Sequence, residues 1–213
     1  RRNLSDSINF ILNGGLNGIF IVFDGKAILG TRARKVRSKS FAAFDSIGYP
    51  IAAFIDDSRI IKYLEAPAVS GDVRFAASIS DSVFLLKLIP GIRPEILAYL
   101  GEHYDIIVIE SYGVGGIPFY DKRNFLNELR ALTEKGKIIV IATQVMLEGS
   151  DAEKYEVGAL ALDRYNVLQS FDMTVESAVT KLMWLCAEHE GYEEIRDGFY
   201  KCINHDLLYD PKN

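Results

Sequence analysis

A chain of 213 residues, 49% of them hydrophobic, is long enough to bury one good core or two modest ones. Its net charge of -5 argues against a nucleic-acid or anionic-membrane partner for the surface as a whole, since either partner needs a basic face. No apolar run reaches the roughly 20 residues that cross a bilayer, so the sequence predicts no transmembrane segment.

The first third of the chain is predicted to contain a helix and two hairpins. Ser5-Asp6-Ser7 precedes an apolar face and indicates a helix start, and Asn13-Gly14 ends that helix. The run GIFIVF is typical of a buried strand, and Asp24-Gly25 is a strong hairpin signal before AILG. A second hairpin is predicted with its turn at 56–58, followed by a linker at 63–78.

A run of five cations follows the first hairpin: Arg32, Arg34, Lys35, Arg37 and Lys39. A charge run is usually solvated surface, and the pattern alone favours that interpretation for Lys35. The alternative is that Lys35 turns inward, where its amine could deprotonate a hydroxyl nucleophile. A nucleic-acid site is a weaker interpretation, because no aromatic side chains interleave the cations.

The C-terminal part, 79–213, alternates strands and helices. Apolar strands are expected in DSVFLLKLIPG, YDIIVIES and KIIVIATQ, and helices in RPEILAYLGEH, FYDKRNFLNELRALTEKG, MTVESAVTKLMWLCAEH and YEEIRDGFYKCINHDL. This order predicts a doubly wound parallel sheet with helices on both faces. Ligands of such sheets bind beyond the carboxyl ends of the strands, which directs attention to the loop SYGVGGIP.

The loop SYGVGGIP allows two interpretations. Its glycine spacing is not that of a dinucleotide fingerprint, so it is either a tight turn that needs positive φ or a loop that brings backbone close to a polar ligand. Tyr112 could be a packed aromatic or a substrate contact.

Cysteine and histidine usage gives no sign of a metal site. Cys186 and Cys202 fit a reducing compartment in which thiols stay free, with a disulfide between them as the alternative. The histidines, His103, His189 and His205, are far apart and show no ligand spacing, so no metal site is predicted.

Several segments together resemble bacterial type I L-asparaginases. The stretch DGKAILGTRARKVRSKSFAAF is similar to the family's Gly-x-Arg segment, in which a lysine leads into an Ala-Phe pair. The pieces NLSDSINFIL, FLLKLIPGIRPEIL, IESYGVGGIP and DMTVESAVTKL also resemble family segments. The resemblance implies an α/β protein, with the C-terminal part of a catalytic N-terminal α/β domain at 1–62 and a C-terminal domain at 79–213.

The resemblance implies a cytoplasmic amidohydrolase that converts asparagine, with glutamine as a second possible substrate, and that uses no cofactor. Lys35 takes the place of the lysine in a Thr-Lys-Asp proton relay that accompanies a threonine nucleophile, which makes Lys35 the expected inward cation and Arg32 a brace for its loop. Tyr112, Gly115 and Gly116 are implied contacts to the substrate or to a neighbouring subunit of a homodimer or homotetramer with shared sites.

The chain also departs from the family pattern. The nucleophile motifs TGGTI and HGTDT do not occur in it, so we expect these residues to be part of a longer protein and to be inactive alone. Gly115-Gly116 stand where the family often has Gly-Asn. Glu110 and Val145 stand where some family members carry an Arg and a Cys that are associated with an allosteric asparagine site, so such regulation is not expected here.

Two other functions remain open. An archaeal-type tRNA-dependent amidotransferase subunit shares the same core and hands ammonia to a partner. A non-catalytic binding or oligomerisation module would instead bind a small amino acid without turnover.

Overall fold

A computed structural model describes residues 1–65, 75–154 and 156–209. The chain divides into two compact units. The N-terminal unit comprises Arg1–Phe75 and the short returning segment Asn204–Asp206, and the C-terminal unit comprises Ala76–Ile203 and Leu207–Asn213. Of the predicted linker at 63–78, residues 66–74 lie outside the described residues.

The N-terminal unit contains one helix and short antiparallel strands. They are α1 (Arg2–Asn13), β1 (Phe20–Phe23), β2 (Lys26–Leu29), β3 (Ala33–Lys35), β4 (Phe44–Ser46), β5 (Ala53–Asp56) and β6 (Arg59–Lys62). Within the described residues, the strands form a sheet of order β1-β2-β5-β6 and a separate ribbon of β3 with β4. Helix α1 begins at Arg2, three residues before the predicted start at Ser5.

Both predicted hairpins are confirmed, and their turns share one conformation. Asp24 and Gly25 have φ of 52° and 73°, and Asp57 and Ser58 have φ of 43° and 68°. Positive φ at both central residues is typical of a type I′ turn, whose twist matches that of the flanking strands. The turns therefore fix the register of β1 on β2 and of β5 on β6.

The C-terminal unit is built on a parallel sheet. Its elements are β7 (Val83–Lys87), α2 (Glu95–His103), β8 (Ile106–Ser111), α3 (Phe125–Glu134), β9 (Ile138–Thr143), α4 (Glu156–Tyr165), β10 (Leu168–Gln169), α5 (Val175–Glu188) and α6 (Tyr192–Tyr200). The strand order is β10-β9-β8-β7, and every pair is parallel.

Apolar clusters cover both faces of this sheet. Alternate residues of β8 point to opposite sides, so that Ile107 joins one cluster and Val108 the other. The first cluster takes side chains from α2, α3 and α4, and the second takes side chains from α5 and α6. The predicted α/β class with a parallel sheet and helices on both faces is confirmed.

Two parts of the C-terminal unit were predicted wrongly. The sequence pattern did not reveal α4 or β10, which is only two residues long. The last helix ends at Tyr200 instead of continuing to Leu207. It cannot continue through Asn204 and His205, because their φ angles of 48° and 60° are left-handed.

Candidate functional site

The predicted site residues divide between the two units. Lys35 belongs to the N-terminal unit, whereas Tyr112, Gly115 and Gly116 belong to the C-terminal unit. The structure brings Tyr112 and Gly116 together as an isolated antiparallel bridge.

Lys35 is the last residue of β3 and its side chain is exposed. Its backbone lies opposite Phe44, and the preceding rungs of the ribbon pair Arg34 with Asp45 and Ala33 with Ser46. Among the described residues Lys35 is exposed, and none of them covers it. The proposed catalytic role of Lys35 stays a prediction.

The buried cation of this stretch is Arg32, which is 0% exposed. Its Nε donates a hydrogen bond to the carbonyl oxygen of His205 at 2.6 Å. The guanidinium carbon also lies 5.7 Å from the centre of the Tyr49 ring, which in turn stacks on His205 with ring centres 5.0 Å apart. Arg32 therefore braces more than its own loop, since it reaches the returning segment Asn204–Asp206.

Sequence reasoning missed the returning segment. It placed Asn204, His205 and Asp206 inside the last helix, yet Asp206 is only 2% exposed and the segment belongs to the N-terminal unit. Asn, His and Asp occur at left-handed backbone more often than other residues, so the sequence Asn204-His205-Asp206 was an available signal that the helix ends before it.

The loop after β8 is a tight turn. The amide of Gly116 donates to the carbonyl of Tyr112 at 2.7 Å, and the Thr143 hydroxyl donates to the carbonyl of Gly113. Gly113 and Gly115 have φ of 53° and 144°. The tight-turn interpretation of SYGVGGIP is thereby confirmed, while contacts of Tyr112, Gly115 and Gly116 with a substrate or a neighbouring subunit remain predictions.

Gly115 also permits a close approach between two loops. A Cβ atom at this position would lie 2.6 Å from the Cα atom of Ala152. The amide of Asp151 donates to the carbonyl of Val114 at 2.6 Å, and the amide of Ala152 donates to the side chain of Gln169 at 2.8 Å. The conformation of the loop is therefore fixed by packing as well as by its glycines.

Polar side chains connect the carboxyl ends of neighbouring strands. The Gln144 amide nitrogen donates to the carbonyls of Leu88 at 2.7 Å and of Glu110 at 3.0 Å. Glu110 is 6% exposed, and its carboxylate lies 3.9 Å from the Lys87 ammonium. Glu110 thus places a buried acid at this edge of the sheet.

Two pKa values in the C-terminal unit are shifted by identifiable contacts. Burial raises the pKa of Tyr200 to about 12, and its hydroxyl accepts a hydrogen bond from the backbone amide of Gln169 at 3.0 Å. The hydrogen bond from Lys137, followed by that from Ser82, lowers the pKa of Asp105. Neither residue is a predicted site residue.

Two other features are absent from the part of the chain that the structure describes. Residues 1–65, 75–154 and 156–209 contain no group of three or more His, Cys, Asp or Glu side chains placed to hold a metal ion. Over the same residues no helix is long and apolar enough to cross a membrane.

Two family models match the chain. The model described as the Glutaminase/Asparaginase C-terminal domain matches residues 82–199, and the model described as Asparaginase, N-terminal matches residues 1–68. The chain belongs to the asparaginase family. The resemblance inferred from the sequence motifs is thereby confirmed.

Asparaginases are also among its similar proteins. An L-asparaginase from Thermococcus kodakarensis is 38% identical over 92% of this chain and 58% of the relative. The solved structure of the thermostable L-asparaginase from that organism superimposes with a TM-score of 0.91 and 35% identity, covering 98% of this chain and 62% of the other. L-asparaginase 1 of Escherichia coli K12 is 27% identical over 98% of this chain and 61% of the relative.

A second kind of relative is a Glutamyl-tRNA(Gln) amidotransferase subunit from Methanosphaera stadtmanae. It is 29% identical over 78% of this chain and 38% of the relative. The chain spans 58% of the length of the Thermococcus kodakarensis asparaginase and 61% of that of the Escherichia coli K12 enzyme.

Proposed function

We propose that the whole protein is an L-asparaginase, which hydrolyses the side-chain amide of L-asparagine to aspartate and ammonia. The observation that carries the proposal is the position of Lys35 at the exposed end of β3, three residues after Arg32 of the Gly-x-Arg motif, in a chain that matches both asparaginase family models. An exposed amine on a paired strand is available to a reacting group, and the pairing of β3 with β4 restricts the position of the lysine backbone.

In the proposed reaction a threonine hydroxyl attacks the amide carbon and loses its proton to a relay of a second threonine, Lys35 and an aspartate. The carbon–nitrogen bond then breaks and ammonia leaves with a proton. Water hydrolyses the resulting ester, which yields aspartate and restores the threonine. A neutral amine can accept the hydroxyl proton, and the aspartate holds it in position.

We assign the threonine nucleophile to the part of an asparaginase that these 213 residues do not include. We further propose that Tyr112, Gly115 and Gly116 contact the substrate or a neighbouring subunit. The assembly proposed is a homodimer or homotetramer with shared sites, located in the cytoplasm, where Cys186 and Cys202 would stay free thiols as they are here.

The test is ammonia release from L-asparagine and L-glutamine by the full-length protein. Replacing Lys35 with Met should lower kcat about 100-fold to 10,000-fold, the usual contribution of a proton-transfer group. Lys39→Met is the matched control, because it removes an exposed cation from the same stretch, and it should keep kcat near that of the wild type. A Lys35→Met enzyme with most of its kcat would disprove the role of Lys35.

The amidotransferase alternative is supported by the relative from Methanosphaera stadtmanae. It predicts that turnover depends on a partner subunit and a charged tRNA. Free ammonia release from asparagine by the purified protein alone favours the asparaginase instead. Binding of asparagine without turnover in calorimetry would favour the non-catalytic module.

A further inference from the structure

We infer that Arg32 is a positioning residue for Lys35, and that it acts by clasping the returning segment Asn204–Asp206. This inference rests on the proposed function, in which Lys35 relays a proton. In this inference Arg32 contacts no reacting atom, but it sets the position of the Lys35 amine.

The clasp consists of two adjacent side chains that bind two adjacent carbonyl groups. The Thr31 hydroxyl donates to the carbonyl oxygen of Asn204 at 2.7 Å, and the Nε of Arg32 donates to that of His205 at 2.6 Å. A hydrogen bond from a charged donor is stronger than a neutral one, and complete burial of Arg32 shields it from water. Both donors come from the two residues directly before β3.

Aromatic rings complete the clasp on another side. Tyr49 stacks on the His205 ring at 5.0 Å and faces the Arg32 guanidinium at 5.7 Å. The planar guanidinium is therefore confined by a ring in addition to its hydrogen bond, which a flexible ammonium would not be.

The returning segment is itself held in an unfavourable backbone conformation. Asn204 and His205 are consecutive left-handed residues, with φ of 48° and 60°. Asn and His visit this region more readily than most residues, but two in succession are uncommon, so surrounding contacts are needed to hold the pair. The two carbonyl groups of this strained pair are the ones that accept the hydrogen bonds from Thr31 and Arg32.

A short ribbon transmits the position of Arg32 to Lys35. The Ile47 amide donates to the Arg32 carbonyl at 2.9 Å, which forms the first rung of the ribbon. The following rungs end with Lys35 opposite Phe44. With only three residues in β3, a displacement of Arg32 has little length over which to relax before it reaches Lys35. A misplacement of about 1 Å in a reacting group can lower a rate by roughly 100-fold.

A double-mutant cycle on the full-length enzyme separates positioning from general stabilisation. Arg32→Met should lower kcat for asparagine by about 10-fold to 100-fold, with KM changed by less than about threefold. In a Lys35→Met background the same change should have almost no further effect, because the group that it positions is gone. If Arg32→Met lowers kcat by the same factor in both backgrounds, the inference is wrong.

Two further variants guard against misfolding. Thr31→Val removes the hydrogen bond to the Asn204 carbonyl and keeps the Arg32 guanidinium, so it decides the question if Arg32→Met does not fold. Its loss of kcat should likewise vanish in Lys35→Met. Arg37→Met is the charge-matched control: Arg37 is exposed and bonds the Ala42 carbonyl at 2.9 Å, and kcat should stay within about twofold.

The inference can fail separately from the proposed function. If the full-length protein releases no ammonia, the proposed function fails. The clasp is then tested by hydrogen exchange of the β3 and β4 amides. Faster exchange in Arg32→Met than in Arg37→Met supports the clasp, and equal exchange in the two variants overturns it.

Discussion

The two units keep their structure by different means. In the C-terminal unit, β8 and β9 are buried along their whole length, and apolar clusters lie on both faces of the sheet. In the N-terminal unit the strands are three or four residues long, and the buried apolar cluster is small, formed by Phe10, Ala27, Ala53 and Ile55. Apolar burial therefore stabilises the C-terminal unit more than the N-terminal one.

The N-terminal unit relies more on turns and on polar contacts. Its hairpins are set by left-handed turn residues, and its largest fully buried side chain is that of Arg32. A buried charge is stabilised only by well-directed partners, so such a unit depends on geometry more than on area. The lysine proposed as reactive, Lys35, lies in this unit.

The largest effect should follow from a cavity in the C-terminal unit. Phe199 is 0% exposed and belongs to the cluster under α5 and α6, whereas Phe10 is 5% exposed in the small cluster. Phe199→Ala should lower the free energy of unfolding by about 3 to 5 kcal/mol, and Phe10→Ala by less. Denaturant unfolding of the two variants measures the difference. Equal losses of unfolding free energy in the two variants would show that apolar burial does not stabilise the C-terminal unit more than the N-terminal unit.

A smaller effect should follow from Gly115→Ala, which tests whether a loop of the C-terminal unit is fixed by packing. The new methyl group would meet the Ala152 backbone at 2.6 Å, at a φ of 144°. The expected cost is about 2 to 3 kcal/mol in denaturant unfolding.

The matched control is Gly136→Ala. It has a φ of 78° but no heavy atom within 4 Å of the added carbon, so it introduces backbone strain without the clash. If both variants lose the same free energy, the close approach to Ala152 contributes nothing and the loop is set by its backbone conformation alone.

The smallest effect should come from alkaline pH, and it tests how firmly the C-terminal unit excludes water. The pKa of Tyr200 is raised from 10.0 to about 12, so between these values the folded state binds more protons than the unfolded state. The free energy of unfolding should therefore fall as pH rises above 10, by up to about 2 kcal/mol near pH 12.

Urea unfolding of the wild type and of Tyr200→Phe over this pH range measures that dependence. The variant also loses the acceptor of the Gln169 amide and should be less stable at every pH. Only its slope with pH is diagnostic. An unchanged slope would mean that Tyr200 is not the group responsible.

Local signals accounted for most of the fold. The Asp24-Gly25 turn and the apolar runs of β8 and β9 are visible in a few consecutive residues, and each forms the predicted element. Helix α4 gave no comparable signal, because Gly158 lies in its first turn and glycine is unfavourable in a helix. A Cβ atom at Gly158 would clash with the Ala152 carbonyl oxygen. Strand β10 is too short to show a period.

The candidate site was harder to predict. The family resemblance proposes Lys35 by position, but it does not show which cation of the run is buried. That depends on a hydrogen bond between Arg32 and His205, which are 173 residues apart in the chain. No periodicity links two such residues, since the contact involves a single side chain and one carbonyl group.

The returning segment has a consequence for synthesis. The N-terminal unit is made first, but the carbonyl groups that accept the bonds from Thr31 and Arg32 belong to Asn204 and His205, near the other end of these residues. A chain that is still growing on the ribosome therefore holds an incomplete N-terminal unit until Asp206 has emerged. Bringing together residues 173 positions apart also carries an entropy cost, and contacts between such distant residues slow folding. During synthesis the β3 ribbon therefore lacks its hydrogen bonds to residues 204 and 205 for a time. Chaperones and proteases have access to the ribbon during that time.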